Sequence, residues 1–242
     1  MKQLAFVGMT LSLGLFSQGA VAGKIIDHSA GLKLLVGADV WSTPSNVPPA
    51  LQNGPMFVGN AGGLSYGAMP YYEIRIIKLL GAEAGLNYEI GSFHRNVTYN
   101  GGIAEAKETI DIKALRFPLL AKLNIPFVLG RFWLGAGPEF TLTQSSSGKY
   151  EVTKGALLGT ATVRTRDVKP TYFAGGLGMV IEIPLVGIEV PIELRISKNM
   201  SQPDNWAERV AYNTPTTTDL IYTVRAESSW AYRLGAGLGF QF

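Results

Sequence analysis

Apolar and polar residues alternate one by one along most of this chain, and this period of two restricts its fold more than any other feature. From Leu32 to Val40 every second residue is apolar, whereas Lys33 and Asp39 occupy positions in between. Successive side chains of a β-strand point to opposite faces, so a period of two is typical of strands with two unlike faces. The pattern predicts an all-β protein.

The alternation recurs in eight segments along the chain. They cover approximately Leu32–Trp41, Leu64–Ile76, Leu80–Ile90, Thr109–Leu123, Phe132–Leu142, Phe173–Ile183, Ile188–Ile196 and Trp230–Phe242. In the fourth segment the phase slips, because Ile110 and Ile112 share one parity and Leu115 the other. A β-bulge near Lys113 or Ala114 would reconcile the two halves.

The composition fits strands better than membrane helices. The 242 residues are 47% hydrophobic with a mean hydropathy of +0.17, but only 16% are charged, against about 25% in ordinary domains. The 29 glycines are also more than usual, since an average chain has about 7% glycine. Beyond the N-terminus no stretch approaches the ~18 consecutive apolar residues of a membrane helix.

The N-terminus predicts a secretory signal peptide over residues 1–22. Lys2 supplies a positive start, Leu4–Phe16 an apolar core, and Ala22 and Gly23 flank the expected cleavage site. A first membrane helix is the alternative, but the apolar run is too short and is interrupted by glycines. Residues 23–242 would then form one domain.

Charge and cysteine content exclude several kinds of partner. Without the signal peptide, 20 basic residues face 18 acidic ones, an excess too small to predict a nucleic-acid partner. The chain has no cysteine, so neither disulfides nor thiol chemistry are expected. His28 and His94 are the two histidines; no cluster has metal-ligand spacing, and we expect neither metal nor cofactor.

The connections between the segments alternate in length. Short turns are predicted near Lys78–Leu79, Asn124–Gly130 and Pro184–Gly187, and long loops near 42–60, 91–108, 144–170 and 198–228. The pattern predicts an antiparallel up-and-down β-barrel of eight strands, with short periplasmic turns and long extracellular loops. Strands of about 10 residues tilted by about 45° would cross an apolar band of about 25 Å.

Parity alone does not tell which face points outward, and a soluble barrel that carries a ligand inside is the alternative. In such a barrel the solvent-facing side would consist largely of glycine. A soluble barrel would also not explain why the connections are short at one end and long at the other. With the apolar face toward lipid, both features are explained, because glycines allow eight strands to close around a narrow polar interior.

The inner face then receives a nearly balanced set of charges. The eight basic residues are Lys33, Arg75, Lys113, Arg116, Lys122, Arg131, Arg195 and Arg233; the nine acidic residues are Asp39, Glu73, Glu83, Glu89, Asp111, Glu139, Glu182, Glu189 and Glu193. Buried charges persist only when they are paired, so we expect an interlocked plug of ion pairs. A charged ring around an open pore is the alternative, which needs a wider barrel.

Four prolines fall inside the predicted strands, namely Pro70, Pro118, Pro138 and Pro191. A closed barrel has no free edge at which a missing N–H is harmless. Each proline should therefore coincide with a bulge, a strand end or a water-facing segment.

Catalytic motifs are weak in this chain. Ser92, His94 and Glu89 are the one set that could form a Ser/His/acid triad, although residues two apart on a strand merely share a face. The glycines from Gly235 to Gly239 lie on the last strand with no helix after them, so they are wall residues rather than a dinucleotide fingerprint. Asn96–Thr98 fits a glycosylation sequon but suits an ordinary loop. We predict no catalytic residue.

Several stretches resemble the small outer-membrane β-barrel proteins of Gram-negative bacteria. They are the signal peptide, the eight segments, Leu115–Lys122 with its Phe-Pro-Leu-Leu sequence, Leu134–Pro138 and the last strand, Trp230–Phe242. The resemblance implies location in the cell outer membrane, contact with its lipid, and an assembly signal for the barrel-insertion machinery at Tyr232, Leu238, Phe240 and Phe242. The family includes anchors, adhesins, channels and a few enzymes, so it implies no single function.

We therefore expect a monomeric barrel with a structural role or a surface-interaction role. Any extracellular ligand would bind to the long loops, where Ser145–Ser147 and Thr216–Thr218 are compatible with an exposed recognition surface. A narrow channel for small or apolar solutes is the first alternative. A lipid-modifying enzyme is the second.

Overall fold

A computed structural model describes residues 25–42, 56–99, 104–154, 171–183, 185–200, 208–214, 217–224 and 228–242. The predicted signal peptide and its cleavage site at Ala22 and Gly23 lie outside the described residues. In the described part of the chain, no helix is long and apolar enough to cross a membrane.

The described residues form eleven strands. They are β1 (Ile26–Ser42), β2 (Met56–Ile76), β3 (Leu80–Gly85), β4 (Asn87–Tyr99), β5 (Ala104–Phe127), β6 (Gly130–Lys154), β7 (Thr171–Ile183), β8 (Ile188–Asn199), β9 (Glu208–Thr214), β10 (Thr217–Val224) and β11 (Ser228–Gln241). Strands β9 and β10 pair only with each other, and the other nine form one sheet.

That sheet closes into a barrel, because β1 pairs antiparallel with both β2 and β11. Strands β3 and β4 are separated by Leu86 alone, and both pair with β2 on one side and β5 on the other. They are two parts of one barrel strand. The prediction of an eight-stranded antiparallel barrel is thus confirmed.

The strands are longer than predicted at the end that carries the long connections. β4 and β5 stay paired as far as Tyr99 and Ala104, and β6 continues to Lys154. The predicted loops 91–108 and 144–170 were therefore too long. The alternation disappears there although the hydrogen-bonded ladder continues, because a strand with no apolar surroundings has no reason to keep one face apolar.

Inside and outside follow the predicted parity over most of the barrel. On β1, Leu32, Leu34 and Val36 are 49%, 64% and 62% exposed, whereas Lys33 is 1% exposed. On β6, Leu134 is exposed and its neighbour Trp133 is buried. The barrel thus buries charge and exposes aliphatic side chains.

The ladder between β5 and β6 is irregular at the predicted position, but β5 itself keeps one parity, which corrects two lumen assignments. The register with β6 shifts between Lys113 and Ala114. Lys113 and Asp111 are exposed, opposite Ile90 and Ser92 of β4. They lie on the outer face, because the extra residue at this shift belongs to β6, whereas β5 stays in continuous register with β4 and does not change its parity.

The four prolines lie beside interruptions of the ladder, as predicted. Pro70 and Pro118 face the break between β3 and β4, where the carbonyl of Pro70 accepts a hydrogen bond from the N–H of Leu86 (3.0 Å). Pro138 faces a stretch of β5 in which two pairs are missing, and Pro191 faces a similar stretch of β11. An interrupted ladder leaves the missing N–H without consequence.

Candidate functional site

The lumen is the candidate functional site, because it gathers fifteen of the seventeen charges that parity assigned to it. They are Lys33, Asp39, Glu73, Arg75, Glu83, Glu89, Arg116, Lys122, Arg131, Glu139, Glu182, Glu189, Glu193, Arg195 and Arg233. All except Glu182 are buried, and the side chain of Glu182 is 28% exposed. Each of the fifteen lies within ion-pair distance of at least one other.

The central cluster consists of Lys33, Lys122, Arg195, Glu83 and Glu193. The ammonium group of Lys33 lies 2.8 Å from Glu83 and 2.7 Å from Glu193. Arg195 reaches the same two carboxylates at 3.0 and 2.6 Å. Because Lys122 also pairs with Glu83, that single carboxylate serves three cations.

The turn-end cluster lies beside the short turns and consists of Arg75, Arg131, Glu73, Glu182 and Glu189. Arg131 lies 2.9 Å from Glu189 and 2.5 Å from Glu182. Arg75 contacts the same two carboxylates at 3.0 and 3.3 Å. Glu73 also pairs with Lys122 at 2.9 Å, which joins this cluster to the central one.

The loop-end cluster lies toward the long connections and consists of Arg116, Arg233, Asp39, Glu89 and Glu139. Arg233 lies 2.6 Å from Glu89 and 3.3 Å from Asp39. Arg116 contacts all three carboxylates at 3.1 to 3.4 Å. The three clusters together follow the lumen from the short turns toward the loops.

The charges of the three clusters nearly cancel. The central and turn-end clusters combine five cations with five carboxylates, whereas the loop-end cluster sets two arginines against three carboxylates. A buried charge without a partner costs several kcal/mol, of order 3 to 5 when one partner is removed. Mutual pairing is therefore what allows so many charges to remain inside.

Aromatic and apolar side chains, which the charge pattern did not indicate, fill the space between the ion pairs. The ammonium groups of Lys122 and Lys33 lie over the rings of Trp133 and Tyr71, 4.1 and 4.4 Å from the centroids. Leu35 and Met69 pack beside Tyr71. Their positions share the parity of the lumen charges, which could have indicated that they face inward. Their neighbours on that face, however, are mostly glycines and charged residues, so no apolar pattern marked them.

Glycines on neighbouring strands make room for these rings. A Cβ atom at Gly178 would lie 2.7 Å from the indole nitrogen of Trp133, and one at Gly176 would lie 3.0 Å from the ring. A Cβ at Gly239 would overlap the hydroxyl of Tyr71. The wall glycines are thus places where large lumen side chains contact the backbone.

The candidate catalytic set is divided by the barrel wall. Glu89 is buried in the lumen, 2.6 Å from Arg233. Ser92 and His94 lie on the outer face of β4, because Phe93 between them is buried. His94 contacts Thr109 of β5 at 3.0 Å. Ser92, His94 and Glu89 therefore do not form a triad, and among the described residues no group of three is arranged to hold a metal ion.

The residues of the expected assembly signal lie along the outer face of β11. Tyr232, Leu238, Phe240 and Phe242 are 42 to 61% exposed. Phe242 also joins the chain end to β1, since its N–H donates to the carbonyl of His28 (3.0 Å) and its ring stacks on the imidazole at 6.0 Å. The chain end is thus part of the closed sheet.

Comparison with known proteins finds solved structures with a similar chain course, but no protein that is similar in sequence. No family model and no curated protein matches the chain. The outer membrane protein OprG of Pseudomonas aeruginosa is 12% identical, with 90% of this chain and 97% of that one covered and a TM-score of 0.45. The outer membrane protease OmpT of Escherichia coli is 10% identical, with 90% and 96% covered and a TM-score of 0.44.

A major outer membrane protein of Thermus thermophilus is also 10% identical, with 87% of this chain and 99% of that one covered and a TM-score of 0.44. All three are outer-membrane proteins. Identities this low assign none of their activities to this chain.

Proposed function

We propose that the protein is an integral outer-membrane β-barrel with a lumen closed by ion pairs, and that its role is structural or depends on binding at its long loops. One observation carries this proposal: the barrel exposes its aliphatic residues and buries its charges. In water that distribution would be unstable. In lipid it is the stable one, because apolar side chains then face hydrocarbon.

The apolar surface continues around the barrel, which favours a lipid environment over a local binding patch. Every strand of the closed sheet contributes to it, with exposed residues Leu34, Leu64, Leu80, Tyr88, Leu123, Leu134, Leu177, Ile192 and Leu234. On β11 the outward residues from Tyr232 to Phe242 are apolar without exception. Ten steps of about 3.4 Å, tilted by about 40 to 45°, give a height of about 25 Å, which matches the apolar band of such barrels.

The three clusters favour a closed lumen over a channel. A selectivity ring leaves its charges free to meet ions in water. Here the carboxylates and cations are engaged with one another, as in Lys33 between Glu83 and Glu193. Eight strands also leave an interior that side chains fill.

The remaining parts of the proposal concern export, assembly and partners. Residues 1–22 would direct the chain across the inner membrane, and the outer face of β11 would present Phe242 to the barrel-insertion machinery. The barrel would act as a monomer in outer-membrane lipid. Catalysis is not proposed, since the wall separates Glu89 from Ser92 and His94.

Site-directed spin labelling tests the membrane placement directly, and the absence of native cysteine makes labelling specific. Leu34→Cys, Leu134→Cys and Leu234→Cys carry the label on the apolar surface. In vesicles these labels should be accessible to oxygen and protected from a water-soluble nickel complex. Val128→Cys, in the turn between β5 and β6, is the control and should show the reverse. Access of the nickel complex to all four positions would contradict the proposal.

A further inference from the structure

The outer surface of the barrel carries a groove across β6, β7 and β8. Its volume is about 440 Å³, within the ~300 to 1,000 Å³ of small-molecule sites. Phe173 and Leu177 of β7, Leu134 of β6 and Ile196 of β8 form its walls. The groove therefore lies within the apolar surface that the proposed function places in lipid.

Gly175 forms the floor of the groove. It stands between Phe173 and Leu177 on the outward face of β7, and a Cβ atom added there would meet nothing within 4 Å. Its cross-strand partner on β6 is another small residue, Ala136. Two adjacent small residues thus leave a depression where the surrounding positions carry long side chains.

A single charged residue, Lys198, lines the groove. It is exposed, and it follows Ile196 on the outward face of β8, toward the long connections. Its ammonium group lies 5.2 Å from the centroid of the Trp230 ring, and it forms no ion pair with any residue that the structure describes. Lysine and tryptophan together are typical of the boundary between the apolar band and the headgroups.

We propose that this groove holds one acyl chain of a lipid whose phosphate-bearing headgroup has a net negative charge, with the phosphate on the Lys198 ammonium. The apolar walls exclude a polar ligand, and a cation at the headgroup level attracts an anionic one. The lipid belongs to the leaflet on the side of the long connections. This inference rests on the proposed membrane placement.

Native mass spectrometry after reconstitution in equal parts of phosphatidylglycerol and phosphatidylcholine tests the site. The wild-type barrel should retain phosphatidylglycerol in preference to phosphatidylcholine. Lys198→Gln should lower that preference about fivefold, the effect of losing one basic residue near an anionic headgroup. Gly175→Phe should lower the retention of both lipids, because its side chain would occupy the place of the acyl chain.

Matched substitutions elsewhere on the outer face serve as controls. Lys113→Gln removes another exposed outward lysine, and Ala82→Phe adds a ring at another small outward residue. Both should retain lipid as the wild type does. Equal retention by all four variants, or equal losses in the controls, would overturn the inference. Protection of the spin labels described above tests the membrane placement separately, so failure of the groove and failure of the proposed function are distinguishable.

Discussion

Arg195 illustrates what a charged residue requires in order to be buried in this barrel. Its side chain is 2% exposed, with Glu193 at 2.6 Å, Glu83 at 3.0 Å and the sulfur of Met69 at 3.6 Å. Desolvation of a guanidinium is so costly that nearby carboxylates only offset it. Each charge of the central cluster therefore compensates the desolvation of its opposite charges, and removal of one leaves the others without a full set of partners.

Glu83→Gln should destabilise the barrel by about 3 to 5 kcal/mol, because it leaves Lys33, Lys122 and Arg195 with one carboxylate fewer in a buried site. Urea unfolding in lipid vesicles, followed by tryptophan fluorescence, measures the change. Glu105→Gln is the matched control, since Glu105 pairs with Lys154 at 3.1 Å on the exposed surface. Its effect should stay below about 1 kcal/mol, and equal effects in both variants would contradict the account.

Parity alone could predict which charges enter the lumen, but not how they pair. Lys33 and Glu193 are 160 positions apart and lie on β1 and β8, two strands that do not adjoin in the barrel. Partners of this kind depend on barrel closure and on the rotamers inside it. Asp111 and Lys113 were assigned wrongly, because the change in apolar parity after Ile112 was interpreted as a slip of β5, whereas β5 keeps one parity and the extra residue lies in β6.

At the scale of elements, the turn between β2 and β3 combines a tight geometry with unsuitable residues. Ile77 and Lys78 both have positive φ, at 53° and 59°, and the N–H of Leu79 donates to the carbonyl of Ile76 (3.2 Å). Two consecutive residues with positive φ are characteristic of a type I′ turn, which favours Asn-Gly at these positions. A β-branched residue in that conformation is strained.

Replacement by the favoured pair, Ile77→Asn with Lys78→Gly, should stabilise the barrel by about 1 to 2 kcal/mol, since it removes this strain. The same urea experiment measures it. Val128→Asn with Leu129→Gly is the control, because neither residue of that turn has positive φ. A gain in the control variant but none in the first would show that the turn is not strained.

The last strand offers a second test at this scale. Phe242→Ala removes the ring that stacks on His28 and the final side chain of the expected assembly signal. We expect less folded barrel in the outer-membrane fraction, measured by the shift in gel mobility between unheated and heated samples. Phe132→Ala removes another half-exposed ring, which stacks on Phe127 of β5, and should assemble normally. Equal levels of the two variants would contradict a special role for the chain end.

The element boundaries show where the sequence signal ends. Alternation predicts the strands where one face is apolar and the other polar, as in β1 and β11. Beyond the apolar surface the residues no longer alternate. The extensions of β5 and β6 toward Ala104 and Lys154 were therefore missed. The groove at Gly175 was also missed, because its walls come from β6, β7 and β8, which adjoin only once these strands are in register.

At the scale of the whole molecule, the lumen and the outer surface depend on each other. The same alternation that places Leu134 and Leu234 outside places Arg131 and Arg233 inside. The barrel has only eight strands, so the inward side chains meet across its axis. The ion pairs that satisfy their charges also occupy the lumen, and the account predicts a barrel that spans the membrane without conducting.

Conductance of planar bilayers shows whether the lumen of the wild-type barrel is closed. Purified wild-type protein, shown to be folded by its gel mobility, is added at neutral pH in moderate salt. We expect the current to stay at the baseline of the protein-free bilayer, because the central cluster around Glu83 closes the lumen. Long-lived ohmic steps that recur with each insertion of the wild-type barrel would contradict a closed lumen and favour a channel.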